Sequence, residues 1–404
     1  MVYRATIPTF LGLLLTAGLA ATSALADQTE GVFGKCRDEP GNFISDTCWL
    51  RNWAQPHQEV SKREFKTLMK SAAGKTTGTL SESKAPWAAN YLPWKSGGVA
   101  RRFGPDLGLP APGKVALEDV KTMSRSELSR LSPIEKFDIL EGNLDFRATK
   151  HELTLRGKST PGVESWEGFC NGMRAAGALA PEPIRTVERT VNFGGASVIV
   201  QFSPRDLKAL LGVSYFYVED SKYGQAGKNQ APVNPGTLDI ALRGLIGTDK
   251  TSFFVDVNTS EEIWNEAVVG FDRDAGPLRK LVDSDRAPTG AETRQNVHTT
   301  LYLLGEARLD QMNKATRELV SKRSSRFVRE VKVKYVLFLN KDGTIVDARW
   351  SSPAVDSIWF AAGRGADADH SSGIEPTTQK PFKGNKWLNW EILHSLVGDS
   401  INRR

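Results

Sequence analysis

The sequence has few cysteines, little net charge and almost no long hydrophobic runs for its length of 404 residues. Three cysteines are too few for a scaffold held by disulfides, and their odd number leaves at least one unpaired. The formal net charge of +6 is weak, which argues against a dedicated nucleic-acid stripe and permits mild attraction to acidic surfaces such as cell walls. The mean hydropathy is negative, so an integral membrane bundle is excluded.

One apolar run stands near the N-terminus. It follows Arg4, covers residues 9–21 and leads to the small-residue motif Ala24-Leu25-Ala26. The run is too short for a membrane span and its flanks fit an export signal cleaved after Ala26, with an uncleaved anchor as the alternative. No later run approaches the roughly 20 apolar residues that a spanning helix needs. We therefore predict a signal peptide at residues 1–26 and a secreted or periplasmic protein without a membrane span after cleavage.

An oxidising compartment would allow two of the three cysteines to pair. Cys36 and Cys48 lie close together in a stretch rich in glycine, aspartate and asparagine. A disulfide between them would stabilise the fold by about 3 kcal/mol through loop closure. Cys170 lies far away and is then the free thiol. It is either a reactive group or a small buried hydrophobic residue.

The chain divides into four parts. After the signal peptide, residues 27–84 are polar and irregular with one helical candidate at residues 62–72, and residues 363–404 form a polar, loop-like tail. Residues 85–362 carry the patterns of a folded domain. Helical signals dominate its first half and strand signals its second half, which predicts an α+β fold with an antiparallel sheet in the second half.

Local signals place the main elements of this domain. Ser132-Pro133-Ile134-Glu135 supplies an N-cap serine, a proline at the first helical position and a capping-box glutamate, so a helix is predicted to run from there to Gly142. Alternation around Gly194-Gly195 predicts a hairpin over residues 191–202. Further elements are predicted at residues 206–211 (helix), 238–246 (strand or buried helix), 251–257, 297–304, 331–339 and 344–350 (strands, the last two forming a hairpin).

The segment around Cys170 is the most informative for function. An alanine-rich stretch follows it and ends before Pro181, which predicts a helix with Cys170 at or near its N-terminus. The helix dipole and the unpaired N–H groups at that position stabilise a thiolate, lowering its pKa, and can hold an oxyanion. This placement favours a cysteine nucleophile, so Cys170 is a catalytic candidate.

A cysteine nucleophile usually needs an imidazole that is itself oriented by a carboxylate or an amide. The histidines are His57, His151, His298, His370 and His394. None of them follows Cys170 in a loop–strand arrangement that is typical of a catalytic base. His298, at the start of a predicted strand, is the best local candidate. Asp239 and Asp256 lie 17 positions apart in two consecutive apolar segments, a spacing typical of a base and its orienting residue on adjacent strands.

Residues 262–271 read Glu-Ile-Trp-Asn-Glu-Ala-Val-Val-Gly-Phe. This stretch resembles the elicitor segment of the elicitor-type transglutaminases, which are secreted glycoproteins of plant-pathogenic oomycetes and exported proteins of some bacteria. The resemblance continues in the family's order over roughly residues 85–360. It includes Pro86-Trp87, residues 132–138, Trp166-x-Gly168-x-Cys170-x-Gly172, Asn234-Pro235-Gly236 and the hairpin at residues 331–350.

The resemblance implies a papain-like and transglutaminase-like core with a cysteine thioester mechanism. A cysteine attacks the carboxamide of a protein glutamine, releases ammonia and passes the acyl group to a lysine or polyamine. Cys170 matches the nucleophile, and Asp256 matches the orienting acid. Asp239 stands where the family carries its histidine, so it completes the catalytic set, although a carboxylate beside a thiol would raise the thiol pKa.

The resemblance also implies residues that position the reaction and bind substrate. Trp166 and Asn171, near Cys170 in the sequence, are the candidates for oxyanion positioning, and Trp264 and Asn265 are the candidates for the substrate region. The implied partners are protein glutamine, lysine or polyamine substrates and cell-wall or host surface proteins, with no nucleic acid. No metal or cofactor motif is present, so no cofactor is predicted, and calcium dependence stays open without a motif to support it. The acidic clusters Asp283-Ser284-Asp285 and Asp367-Ala368-Asp369 are expected to be solvated loops rather than calcium sites.

Three functions remain open from the sequence. The first is an exported acyltransferase, or the same chemistry ending in deamidation, with His298, His151 or a Cys-Asp-Asp arrangement in place of the missing imidazole. The second is a catalytically inactive secreted binding protein on the same scaffold. The third is a cysteine peptidase. The group that lies beside the Cys170 sulfur distinguishes catalysis from binding, because a base must lie within about 4 Å of it.

Overall fold

The structure is a computed structural model that describes residues 41–48, 50, 67–72, 75–105, 108–216, 219–223, 231–323, 325–361 and 385–401. The predicted signal peptide, with its cleavage after Ala26, lies outside these residues, and so do Cys36 and residues 62–66 of the helix predicted at residues 62–72. The described remainder of that helix is helical only at residues 67–68, with turns and a single β-bridge at residues 69–72, so the predicted helix ends earlier than expected. The Cys36–Cys48 bond and the predicted domain bounds therefore stay predictions.

Helices outnumber strands in the first half of the described chain, and further helices lie in the second half. They are α1 Leu117–Thr122, α2 Arg125–Arg130, α3 Pro133–Leu140, α4 Arg147–Arg156, α5 Cys170–Leu179, α6 Pro204–Ser214, α7 Pro235–Ala241, α8 Arg317–Ser321 and α9 Trp390–Ile401. The capping box predicted for α3 is formed: Ser132 N donates to Glu135 Oε2 at 2.9 Å, and Glu135 N donates back to Ser132 Oγ at 3.3 Å. Two of the N–H groups left open at the helix start are thereby satisfied, and Pro133 at the first helical position has no N–H that needs a partner.

Strands predominate over helices in the second half, and three strands lie in the first half. They are β1 Thr77–Thr79, β2 Val187–Phe193, β3 Ala196–Phe202, β4 Glu219–Tyr223, β5 Phe254–Asp256, β6 Glu266–Ala275, β7 Arg279–Lys280, β8 Thr293–Leu304, β9 Val328–Leu339, β10 Ile345–Ser352 and β11 Ser357–Ala361. The main sheet has the antiparallel order β10-β9-β8-β6-β5-β11-β4, with β1 on β6 and β7 on β8. Strands β2 and β3 form a separate hairpin. The α+β prediction is confirmed.

The ambiguous apolar segment at residues 238–246 is helical. Helix α7 runs directly into a π-helical segment, Leu242–Asp249, and residues 235–247 are buried throughout. A segment buried on every side has no polar face to reveal its period, which explains why the sequence could not separate strand from helix. Asn234 caps α7, since its Oδ1 accepts from Gly236 N at 2.9 Å.

The C-terminal part of the chain differs from the prediction. A loop-like tail was expected after residue 363, but α9 is a helix that packs against α6. Leu393, Leu396 and Val397 are buried, which is the i, i+3, i+4 spacing of one helical face. This short apolar stripe was obscured by the polar residues before it. None of the helices in the described part of the chain is long and apolar enough to cross a membrane.

Candidate active site

Cys170 is the first residue of α5, as the sequence predicts. The residue before it, Phe169, is buried and donates its backbone N–H to Tyr91 O at 2.6 Å. Only glycine fits at the two positions that flank it, because backbone lies close to both. A Cβ on Gly168 would lie 2.5 Å from Tyr91 O, and one on Gly172 would lie 2.0 Å from Gly212 O. The motif Gly168-x-Cys170-x-Gly172 therefore fixes the first turn of α5 between two other backbone segments.

The thiol of Cys170 lies beside an amide side chain. Asn265 Nδ2 donates to Cys170 Sγ at 3.1 Å, and the sulfur lies 3.9 Å from Ile263 O. Trp359 Nε1 donates to Asn265 Oδ1 at 2.6 Å and so holds the amide in this orientation. The structure thus brings Asn265, predicted for the substrate region, into direct contact with the predicted nucleophile.

A buried ion pair lies on the same face of α5. Arg174 is one helical turn after Cys170 and is 1% exposed. Its Nε donates to Asn265 O at 3.0 Å, and its Nη2 is paired with Glu306. Its Nη1 is buried and has no hydrogen-bond partner among the described residues. The Glu306 side chain is 30% exposed, so it reaches the surface of the site.

The surroundings raise the pKa of the Cys170 thiol. Burial is the largest cause and disfavours the thiolate; the Asn265 hydrogen bond and the Arg174 charge act in the opposite direction, while the Glu306 carboxylate adds to the increase. The lowered pKa expected from the helix N-terminus is therefore wrong, because desolvation and a nearby acid outweigh the donors. A thiol with a raised pKa is mostly protonated at neutral pH.

Asp256 ends β5 and is fully buried. Its Oδ1 accepts from Asn258 N at 2.9 Å and its Oδ2 from Trp264 N at 3.0 Å. Because β5 pairs with β6 in the register Val255↔Glu266, Asp256 lies next to Asn265 across the sheet. The carboxylate holds the loop that carries Trp264, whose ring packs edge-on to that of Tyr91 at 5.4 Å.

The amide of Asn171 is bonded to the backbone that follows α6. Its Nδ2 donates to Phe216 O, at the end of α6, at 2.9 Å, so this donor is already engaged. Trp166 is half-buried in the segment before α5. The roles of both residues in oxyanion positioning stay predictions.

Asp239 is not beside Cys170. It is buried in α7, where it accepts from Arg243 Nε at 2.8 Å, Arg273 Nε at 2.6 Å and the Tyr335 hydroxyl at 2.6 Å. Its partner Arg273 lies toward one end of β6, whereas Asn265, which contacts Cys170, precedes the other end. The two residues are eight positions apart, which corresponds to about 26 Å at the usual rise of a strand. Burial alone would raise the Asp239 pKa, but the two guanidinium groups lower it below its ordinary value. The structure therefore places Asp239 in a salt-bridge cluster rather than in the catalytic set.

No histidine of the described chain is among the groups that hydrogen bond to Cys170 or shift its pKa. His298 is exposed on β8 opposite Asp274, at the far end of β6 from Asn265. His394 lies in α9 with its ring 5.9 Å from that of Trp390, and His151 lies in α4. The other two, His57 and His370, fall outside the described residues.

A cavity of about 210 Å³ adjoins the thiol site. It is lined by Arg174, Val257, Asn258, Trp264, Asn265, Glu266, Glu306 and Arg329. Arg329 pairs with Glu266 across it, as Arg174 pairs with Glu306. The cavity therefore contains two guanidinium groups and two carboxylates, so their formal charges cancel. In the described residues, no group of three or more His, Cys, Asp or Glu side chains is arranged to hold a metal ion.

The sequence reasoning missed Arg174 and Glu306. A signal for Arg174 existed, because it follows Cys170 by four positions and therefore shares its helix face. Glu306 follows the end of β8 in a short loop, and nothing in its local sequence distinguishes it. Only the tertiary contact between α5 and this loop reveals the pair.

Comparison with known proteins gives a consistent result. The sequence matches the family described as transglutaminase elicitor over residues 62–375. The fold is similar to the crystal structure of the GP42 transglutaminase from Phytophthora sojae, with a TM-score of 0.61 and 17% identity, covering 89% of this chain and 98% of that one. No curated protein matches the sequence. At 17% identity, the structural likeness concerns the fold alone.

Proposed function

We propose that this chain, which belongs to the transglutaminase elicitor family, transfers the acyl group of a protein glutamine to a primary amine through a thioester on Cys170. The observation that carries the proposal is the position of the thiol: Cys170 begins α5 beside an amide donor, and an ion-paired cavity adjoins this site. A lysine or a polyamine would be the acceptor, and cell-wall or host surface proteins would supply the glutamine.

The chemistry requires two displacements at one carbon. The Cys170 thiolate attacks the carboxamide carbon, the C–N bond breaks, and ammonia leaves after taking a proton from water. The amine then attacks the thioester, the C–S bond breaks, and the thiolate is regenerated as the amine loses a proton to solvent. Water in place of the amine gives deamidation. None of the histidines in the described part of the chain bonds to the sulfur, so the rate should follow the thiolate fraction and activity should rise with pH through the raised thiol pKa.

The test is incorporation of a fluorescent primary amine into a glutamine-rich protein between pH 7 and pH 10, with Cys170→Ala as the control. We expect slow incorporation that rises with pH in the native chain and none in the variant. Mass spectrometry of the acceptor-free reaction detects glutamate from deamidation. Equal signals from the native chain and Cys170→Ala would disprove acyl transfer. Addition of EDTA is expected to leave the rate unchanged, since we propose no calcium requirement.

A second candidate is a catalytically inactive binding protein on the same scaffold. The observation that favours it is the raised thiol pKa combined with the amide partner of the sulfur. In this case the folded chain would incorporate no amine at any pH, would cleave no peptide bond and would still bind a glutamine-containing ligand.

Export is part of the proposal. The N-terminal signal predicted for residues 1–26 would place the protein in a periplasmic or secreted compartment. N-terminal sequencing of protein recovered outside the cytoplasm should begin at Asp27. A mature chain that still begins at Met1 would contradict cleavage and favour the uncleaved anchor.

A further inference from the structure

The outer face of the main sheet carries a polar cleft that the proposed function does not use. A cavity of about 300 Å³ lies where β6, β8 and β9 run side by side. Its lining includes four exposed residues: Asp274 of β6, His298 of β8, and Lys332 and Lys334 of β9. Along β9 the two lysines alternate with the buried Val333, so their side chains project from the outer face of the sheet.

The register of the sheet sets these side chains at defined distances. His298 lies directly opposite Asp274 on one side and directly opposite Lys334 on the other. Neighbouring strands are about 4.8 Å apart, so the backbones at Asp274 and Lys334 are about 10 Å apart with His298 between them. Lys332 projects from the same face two positions along β9, with its backbone about 7 Å from that of Lys334. The cleft therefore combines two ammonium groups, an imidazole and a carboxylate.

These four side chains are available to a ligand, since none of them forms a hydrogen bond or an ion pair within the described part of the chain. The other charged residues of the cleft are engaged elsewhere. Asp272 pairs with Arg323 at 3.2 Å, and Arg273 pairs with Asp239 at 2.6 Å. Two positive charges and one negative charge are left to meet a ligand. This balance favours an anion, and the remaining carboxylate offers an acceptor for a hydroxyl group.

The lining of the cleft distinguishes among anionic partners. It includes no Trp, Tyr or Phe on which a nucleic-acid base could stack. A lipid surface would need exposed apolar side chains among the basic ones, and Val333 is buried. A glutamate-rich peptide would satisfy the lysines, but its side chains carry no donor for Asp274. An acidic sugar carries a carboxylate for an ammonium group and hydroxyl groups that can donate to Asp274 and bond to His298.

We propose that this cleft binds an acidic polysaccharide, with uronate carboxylates on Lys332 and Lys334 and ring hydroxyls on Asp274 and His298. The lysines bind as exposed point charges, and the carboxylate of Asp274 accepts from the hydroxyl groups. The cleft lies toward the far end of β6 from Asn265, the residue before this strand. It is therefore separate from the thiol site, and the proposal goes beyond acyl transfer without depending on it.

The experiment measures binding of the full chain to a galacturonate hexasaccharide by titration calorimetry at pH 7 and low salt. The matched ligand is the same hexasaccharide as its methyl ester, which keeps the ring hydroxyls and removes the charges. We expect the acid form to bind at least about tenfold more tightly than the ester and to lose affinity as salt screens the lysines. Equal binding of the two forms, or no binding of the acid form, would overturn the proposal.

Variants test the lysines and the carboxylate separately. Lys332→Gln combined with Lys334→Gln should weaken binding of the acid form by about tenfold. The matched control combines Lys314→Gln with Lys341→Gln, at exposed positions outside the cleft. Asp274→Ala removes a negative charge, so an effect of charge alone would tighten binding. We expect binding about threefold weaker instead, because the hydroxyl acceptor is lost. Tighter binding by Asp274→Ala, or equal effects of the two lysine pairs, would contradict the assignment.

Two further probes separate the sugar from other anions. A hexaglutamate peptide or phosphatidylglycerol vesicles bound as tightly as the hexasaccharide would reject the sugar site. Protein whose Cys170 has been alkylated should bind the hexasaccharide with the native affinity. Failure of amine incorporation thus leaves the polysaccharide site intact, and failure of hexasaccharide binding leaves acyl transfer intact.

Discussion

Cys170 is the residue on which the chemistry depends, and its surroundings set how often it is ionised. Burial and the Glu306 carboxylate raise its pKa, while the Asn265 amide stabilises the thiolate through an N–H donated at 3.1 Å. The proposed activity and the reactivity of the thiol are therefore both expected to depend on pH above neutrality.

The first prediction concerns the rate of alkylation of Cys170. Labelling by iodoacetamide should be slow at pH 7 and should still be rising at pH 9, because the thiolate is the reactive form. Asn265→Ala should reduce the rate at pH 8.5 severalfold by removing the donor to the sulfur. Mass spectrometry of the labelled peptide measures the rate, and Asn296→Ala, at an exposed position of β8 outside the cavity lining, is the control. A rate that is already maximal at pH 6 would show a lowered pKa instead.

The second prediction concerns Asp239, a buried carboxylate between two buried guanidinium groups. Asp239→Asn would leave Arg243 and Arg273 without their shared negative partner, and we expect a loss of about 3–5 kcal/mol in the free energy of unfolding. The pKa of Asp239 is lower in the folded than in the unfolded chain. Its carboxylate therefore stabilises the fold above the pKa of the unfolded chain, near 4, and this stabilisation is lost as the pH falls below that value.

Denaturant unfolding measures this change, and the exposed Asp274→Asn on β6 is the matched control. The alkylation rate of Cys170 in the folded variant should stay at the native level, because the cluster lies toward the other end of β6. A specific loss of thiol reactivity without loss of stability would restore Asp239 to the catalytic set.

Helix α5 is the element that positions the thiol, and its contact with α6 leaves no space for a side chain at Gly172. A Cβ there would lie 2.0 Å from Gly212 O, which is backbone and cannot move aside locally. Gly172→Ala should therefore displace the first turn of α5 and destabilise the fold by about 2–4 kcal/mol. The Asn265–Cys170 contact should be disturbed with it.

Gly398 provides the matched control for this substitution. It lies inside α9, and no atom lies within 4 Å of the position that its Cβ would occupy. Gly398→Ala should be neutral or stabilising by about 0.5–1 kcal/mol, since alanine favours the helix. Thermal or denaturant unfolding compares the two variants, and similar effects of both would refute the close packing of α5 on α6.

The same elements show what the sequence could predict and what it could not. The capping box of α3 and the start of α5 are local, because they depend on residues three or four positions apart. The contact of Asn265 with the thiol joins residues 95 positions apart along the chain, and it depends on how β6 is placed against α5. Arg174 and Glu306 were missed for this reason. The surroundings of Asp239 could not be predicted either, because its position in the sequence does not show that α7 places its carboxylate between Arg243 and Arg273.

At the scale of the whole molecule, two buried carboxyl groups, Asp46 and Asp138, and the half-buried Glu141 link stability to pH. Burial raises the pKa of Asp46 to about 7, that of Asp138 to about 6 and that of Glu141 to about 7. Asp46 accepts from Gly41 N and Asn234 N and thereby joins the helical segment at residues 43–48 to the cap of α7. These three groups bind protons more tightly in the folded than in the unfolded chain.

The last prediction follows from the sign of this difference. Between about pH 4 and pH 7 the folded chain holds protons that the unfolded chain has released, so the free energy of unfolding should fall as pH rises. Each unit by which a folded pKa exceeds its unfolded value corresponds to about 1.4 kcal/mol. Lowered pKa values such as that of Asp239 act in the opposite direction only below about pH 4.

Denaturant unfolding should therefore give a greater free energy of unfolding at pH 5 than at pH 8. Asp46→Asn should reduce this dependence on pH, whereas Asp274→Asn should leave it unchanged. Greater stability at pH 8 than at pH 5 would mean that these carboxyl groups ionise freely and are solvated in the fold.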